Sequence, residues 1–249
     1  VQLQHLSKEV AIHFDEFGVP HINAKNQEDA YVALGYLLAQ ERLWQMELIR
    51  RIAPGRLSEI FGKDLLPTDV FFSGLGIEEA AEKAIANLDK NSEAHLLTQK
   101  YLDGINQYIE EGSTPIEFTL VGIKKEKYTI KDVYNVFGYM AFSFAVAHKT
   151  DPLLTEIKEK LGDAYLNEFM NSYNENLTIN KTEIQPIKAN LSKAVSGIMN
   201  TLPVATFIGS NSWVIGAEKT KNGKVIFAND PHIGFSQPSV WYQNHIKTP

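Results

Sequence analysis

The sequence predicts an α+β chain, on three observations. Two short runs near its start alternate in period two. A long body repeats its apolar residues at helical spacing. Near its end, two β-rich runs flank an Asn-Gly pair, the strongest short-range hairpin signal.

In the first of these regions Val10, Ile12 and Phe14 alternate with Ala11, His13 and Asp15, the pattern of a strand. Asp15-Glu16-Phe17-Gly18 reads as a turn, with His21 expected to hydrogen-bond within it rather than ligate a metal, since no two histidines have helical metal spacing. Val19-Pro20-His21-Ile22 reads as a return strand, placed at a sheet edge by its proline. Asn26 suits a helix N-cap, with Glu28 and Asp29 favourable in the first turn. Ala30, Leu34, Leu37, Leu38, Trp44, Met46, Leu48 and Ile49 then fall mainly on one side. Arg50 and Arg51 occupy the last turn before Pro54-Gly55 ends the helix. Helical spacing continues over Ile77–Leu88 and Glu93–Glu111, and Glu78, Glu79 and Glu82 with Lys83 read as a solvated face. Thr129 can cap a helix from Ile130 to about His148, apolar on nearly every side from Val136 and therefore expected to be buried. Leu153–Leu161 and Ala164–Met170 read as two short helices. From Asn171 to Thr206 no period is visible, so this stretch reads as a linker with one weak helix near Lys193–Asn200. Its sequons at Asn176, Asn180 and Asn190 are expected by chance in so Asn-rich a segment. Trp213-Val214-Ile215 and Val225-Ile226-Phe227 then flank Asn222-Gly223.

Composition excludes several classes of function. With 24 basic and 30 acidic residues the net charge is −6, and Lys124, Lys125 and Lys127 form the one tight basic cluster. That is too little positive surface for nucleic-acid binding. No cysteine is present, which excludes disulfides, thiolate metal sites and cysteine nucleophiles. The apolar run around Met140–Ala147 is too short for a membrane span. At 249 residues the chain can bury a sizeable core. It opens on Val1 and stops just after the patterned Val240-Trp241-Tyr242, so a fragment of a longer chain is expected.

A two-residue turn at 222 and 223 would pair residues whose numbers sum to 222 + 223 = 445, setting Trp213 opposite His232. Gly209-Ser210-Asn211 and Asn229-Asp230-Pro231-His232 would then meet at the open end of one hairpin. Read from spacing alone, these are either polar residues at a sheet edge or the start of a nucleophilic site.

Gly209-Ser210-Asn211-Ser212-Trp213 followed by Ala228-Asn229-Asp230-Pro231-His232 resembles the penicillin acylase family of N-terminal nucleophile (Ntn) hydrolases. Upstream, Gly18-Val19-Pro20-His21-Ile22, Gly35-Tyr36, Ala39-Gln40-Glu41-Arg42-Leu43, Gln45-Met46-Glu47, Arg50-Arg51 and Gly55-Arg56-Leu57 resemble its α-chain signature. The resemblance implies an αββα Ntn-hydrolase fold, here represented by a helical α region (1–170), a spacer (171–209) and the start of a β chain (210–249). It implies autocatalytic cleavage between Gly209 and Ser210, after which Ser210 is the catalytic nucleophile and its own amine the base. An α-amine with a reference pKa of about 7.7–8 suits that role. A glycine at 209 keeps a Cβ away from the attack. His232 matches a position that contacts the serine or its amine, a supporting role. Phe142, Phe144 and Ala145 match the acyl-binding wall, with Phe144 and Ala145 departing from the arginine–phenylalanine pair of well-known penicillin G acylases. A buried core helix is the competing reading there. Asp151 matches an acidic calcium ligand, or alternatively caps a helix before Pro152. Calcium is the one cofactor implied; no organic cofactor is.

The implied partners are a small N-acyl substrate and the remainder of the β chain, which would supply the oxyanion donors and the other calcium ligands. Self-association is another way to cover the exposed sheet edge. The implied location is the periplasm or outside the cell. The expected activity is hydrolysis of linear amides, releasing a β-lactam nucleus or a homoserine lactone, with this chain inactive by itself. A non-catalytic helical binding module of the same fold is the alternative from another class.

Overall fold

A computed structural model of the chain describes residues 2–145, 147–165, 195–203 and 207–249. Strands β1 (Ala11–Phe14) and β2 (Pro20–Asn23) lead into helices α1 (Gln27–Ile52) and α2 (Ser58–Phe61). A 3₁₀ turn then precedes α3 (Leu66–Gly74), α4 (Ile77–Ala86), α5 (Glu93–Glu111), α6 (Ile116–Val121), α7 (Ile130–Phe144) and α8 (Ala147–Leu161). Strands β3 (Phe207–Ile215), β4 (Ile226–Ile233) and β5 (His245–Lys247) close the order. The architecture is α+β, as the sequence predicts. Two compact units result: residues up to 141 with 233–249, and residues 142–232. No described helix is long and apolar enough to cross a membrane.

The first unit is organised by α1 against α5. A Cβ at Gly35 would lie 2.0 Å from the Tyr101 carbonyl oxygen, and one at Gly104 would lie 1.9 Å from that of Val32. Glycine on each helix therefore lets the two backbones touch. Around the crossing, Tyr36, Ala39 and Leu43 pack with Leu102, Ile105, Tyr108, Ile109, Phe118 and Tyr128. The α1 start is capped as expected, since the Asp29 N–H donates to Asn26 Oδ1 at 2.7 Å.

Arg50 and Arg51 do more than complement the dipole at the end of α1. Both are buried, and both grip the buried Glu47, with Nε–Oε distances of 2.9 and 2.5 Å. Arg51 also reaches Glu59, while Arg50 donates to the Lys127 carbonyl at 3.2 Å. A carboxylate buried without such partners would be costly; here it is paired on two sides.

A three-stranded sheet in the order β1-β2-β5 packs on α1 through Ile22, Ala24, Ala30, Ala33 and Leu37. β1 is antiparallel to β2, pairing Ile12 with Ile22 and His13 with His21. β5 is parallel to β2, pairing His21 with His245 and Ile22 with Ile246. The edge position expected for β2 is therefore corrected: it is central. Pro20 is tolerated because it is the first residue of the strand.

The helical boundaries shift in one place. The helix expected over Ile130–His148 ends at Phe144, and α8 starts at Ala147 rather than Leu153, running through Pro152. The fixed φ of proline is compatible with a helix, so the chain continues through it at the cost of one missing hydrogen bond and crowding of the preceding turn. The expected solvated face of α4 is also partly engaged: Lys131 on α7 lies 2.7 Å from Glu78 and 3.3 Å from Glu82. Residues 195–201 are helical, matching the weak helix read near 193–200. Of the helix expected over 164–170, residues 163–165 are helical and the rest lies outside the described residues. Asn176, Asn180, Asn190 and most of the spacer also lie outside them.

Candidate active site on the β3–β4 hairpin

β3 and β4 form a two-stranded sheet, but not through the two-residue turn the sequence suggests. A type I′ turn needs positive φ at both central residues. Gly223 has φ 65°, while no described residue other than glycine is positive. The Asn222 side chain instead accepts the Lys224 N–H at 3.2 Å, Thr220 Oγ1 donates to the Lys224 carbonyl at 2.8 Å, and Ala217–Lys219 adds a 3₁₀ turn. The turn chemistry therefore does not impose the 445 register. His232 finds its side-chain partner in Asn211, with 3.0 Å between Nδ2 and Nε2, so the 209–211 and 229–232 segments do meet.

Ser210 is exposed and its hydroxyl donates to the Gly209 carbonyl oxygen at 2.7 Å. The nucleophile expected from the sequence thus rests against the peptide unit it would attack. A Cβ built on Gly209 would meet nothing within 4 Å beyond its chain neighbours, so no packing demand explains that glycine.

Successive residues of a strand point to opposite faces, which separates Ser210 from Asn211. The structure brings Asn211, His232 and Asp230 together and gives Ser210 a different partner. His232 Nδ1 lies 3.5 Å from Asp230 Oδ1. With the Asn211 amide donating to Nε2, the network assigns the imidazole proton to Nδ1, facing Asp230. Both members of the Asp230–His232 pair are more than a third exposed, so solvent screens it and its main effect is orientation. The sequence signal for Asp230 was its i, i+2 spacing from His232, which puts both on one face of β4.

The remaining candidates sit on α7 and α8. Phe142 and Phe144 are half-buried in the last turn of α7, and Ala145 is exposed just beyond it. The two phenylalanines are separated by roughly 200° around the helix. Asp151 is not an N-cap: it lies inside α8, exposed, where its Oδ1 accepts the Thr150 hydroxyl at 3.4 Å. The early start of α8 is the reason. Calcium takes six to eight oxygen ligands, and among the described residues no three His, Cys, Asp or Glu side chains are placed to hold one metal ion together. Asp151 and its described neighbours do not by themselves make a calcium site.

Residues 9–249, nearly the whole chain, match the family described as penicillin amidase. The chain belongs to this family. Among its relatives within and around the penicillin amidases is the "Penicillin acylase 2 proenzyme" of Pseudomonas sp. (strain SE83), 29% identical over 97% of this chain and 32% of that protein. The acyl-homoserine lactone acylase QuiP of Pseudomonas aeruginosa is 28% identical over 99% of this chain and 30% of its own length. Penicillin G acylase of Escherichia coli is 28% identical over 95% and 35%. The chain spans about a third of the length of these curated relatives. A thermostable penicillin G acylase from Alcaligenes faecalis shares the fold, with a TM-score of 0.54 at 24% identity over 70% of this chain and 97% of that one. Penicillin amidase membership and an α+β fold shared with that acylase are thereby established together.

Proposed function

We propose that this chain carries the nucleophile of an amide-bond hydrolase that matures by cutting itself before Ser210. The observation that carries the reading is the contact of the Ser210 hydroxyl with the Gly209 carbonyl at 2.7 Å. In maturation, Ser210 Oγ attacks the Gly209 carbonyl carbon and gives up its proton. The C–N bond breaks, the proton passes to the departing Ser210 nitrogen, and a Gly209 ester remains. Water cleaves that ester, leaving a Gly209 carboxylate and a free Ser210 amine.

The amine then serves as the base for the same hydroxyl, since a serine hydroxyl needs a base within reach. Oγ attacks the acyl carbon of the substrate amide, the amine product leaves with a proton, and water releases the acid. His232, set by Asp230 on one nitrogen and Asn211 on the other, is a positioning residue: Asn211 joins it to the backbone adjoining the nucleophile. Oxyanion donors would come from the remainder of the β chain. The names of the relatives offer two amines, a β-lactam nucleus and a homoserine lactone, which substrate profiling of the mature enzyme separates.

The deciding experiment uses the precursor extended to the length of its relatives. Ser210→Ala is expected to abolish both chain cleavage and amide hydrolysis, because one hydroxyl serves both; two chains of normal size on a denaturing gel would refute the assignment. His232→Ala is expected to lower kcat about tenfold or more while KM stays within twofold, the signature of an interaction felt in the transition state. Wild-type kcat in that variant would reduce His232 to a structural residue.

A further inference from the structure

The sheet of the first unit carries a row of histidines that the reaction above does not use. The register sets His13 beside His21 and His21 beside His245, so the three imidazoles stand on one sheet face. The His13 and His21 rings are stacked, 4.7 Å apart at 14°. His245 meets His21 edge-on, 5.1 Å apart at 66°. The two Nδ1 atoms of His21 and His245 lie 3.2 Å from each other.

The far side of His21 is held by a carboxylate. Its Nε2 lies 3.2 Å from Asp15 Oδ2. The other oxygen of Asp15 accepts the N–H groups of Phe17 and Val19, each at 2.9 Å, which fixes the carboxylate in the turn. These bonds, first that from Val19, hold the Asp15 carboxyl below the usual range against its partial desolvation. An ionised carboxylate on Nε2 draws the imidazole proton there and leaves Nδ1 with a lone pair aimed at His245. Metal-ligating histidines have this arrangement, a carboxylate behind the ring that orients it and raises its basicity.

Two imidazole nitrogens about 2.0–2.1 Å from a tetrahedral ion stand roughly 3.3 Å apart. The observed separation of 3.2 Å matches that span. We propose that His21 and His245 chelate one borderline-soft divalent cation, of the zinc type, through their Nδ1 atoms, with Asp15 supporting His21 from behind. Water completes the coordination, and His13 stacks on the ligand without joining it. When no ion is bound, one Nδ1 donates to the other. The ion would tie β5 to β2; if the reading above holds, these strands belong to different chains after cleavage, and the ion becomes a staple between them.

The test is calorimetric titration of the 249-residue chain with zinc chloride, above the ordinary histidine pKa of ~6.5. Saturable binding of one ion per chain is expected. His245→Ala should weaken it more than tenfold, Asp15→Asn about tenfold, and His13→Ala less than twofold. Nitrogen NMR of the unsubstituted chain keeps the test independent of any folding defect in the variants: zinc should shift Nδ1 of His21 and His245 and leave their Nε2 nitrogens as nitrogens bearing protons. Absence of saturable binding, wild-type affinity in His245→Ala, or a zinc shift confined to Nε2 would each overturn the proposal. Ser210→Ala should bind zinc with unchanged affinity, so failure of the serine assignment would leave this site standing.

Discussion

The α1–α5 crossing and the β3–β4 hairpin are both rich in apolar residues, yet one is closed and the other open. At the crossing Ile105 is fully buried, and Leu102 and Tyr108 nearly so. On the hairpin Val214 is 70% and Phe227 67% exposed, with Trp213, Ile226 and Val225 also largely bare. The difference is one of partners. Two helices with glycines at their contact can satisfy each other. A two-stranded sheet has no layer of its own to pack on, and is marginal until something covers it. The region that holds the fold and the region that holds the candidate chemistry are therefore different, and they should respond differently to substitution.

The comparison breaks most sharply at Glu47. Glu47→Gln removes the charge that two buried guanidinium groups share, and is expected to cost about 3–5 kcal/mol. Denaturant unfolding measures it, and a loss below 1 kcal/mol would mean that Glu59 and Glu126 alone satisfy the arginines. Gly104→Ala should cost somewhat less, about 2–3 kcal/mol, because its Cβ meets the Val32 carbonyl oxygen at 1.9 Å and the helices must separate. Thermal unfolding followed by far-UV circular dichroism reports it; an unchanged Tm would show that the crossing is less tight than described.

The smallest effect is expected on the hairpin. Phe227→Ser in the 249-residue chain should change stability by no more than ~0.5 kcal/mol, because little is buried there. In the precursor extended to the length of its relatives, the same substitution should cost several times more if the remaining β region covers this face. Equal effects in the two would remove the contrast between closed and open regions.

Much of the fold was legible locally. Period-two alternation marked β1, helical spacing marked α1 and α5, and Asn26 announced its cap, because each of these signals acts between residues close in sequence. The central place of β2 was not legible: its neighbour β5 has three residues and lies more than two hundred positions away, so no local pattern announces it. The α7–α8 break and the loss of the Asp151 cap escaped for a similar reason, since Pro152 was read as a boundary and the chain carries it inside a helix. At the candidate site, residue types and motif order marked Gly209, Ser210 and His232, while Asp230 stood in the same motif without an assigned role. Which of them touch was decided by strand pairing.

What the sequence by itself determined is therefore the inventory: which segments form helices or strands, which candidate nucleophile is present, and which chemistries an absence of cysteine removes. What only the tertiary structure decided is adjacency. It buried Glu47 between Arg50 and Arg51, lined up His13, His21 and His245 across three strands, and joined the side chains of His232 and Asn211. Local propensity acts over a few residues, whereas register and packing are set by the summed burial of distant segments, and a side chain's partner depends on the latter.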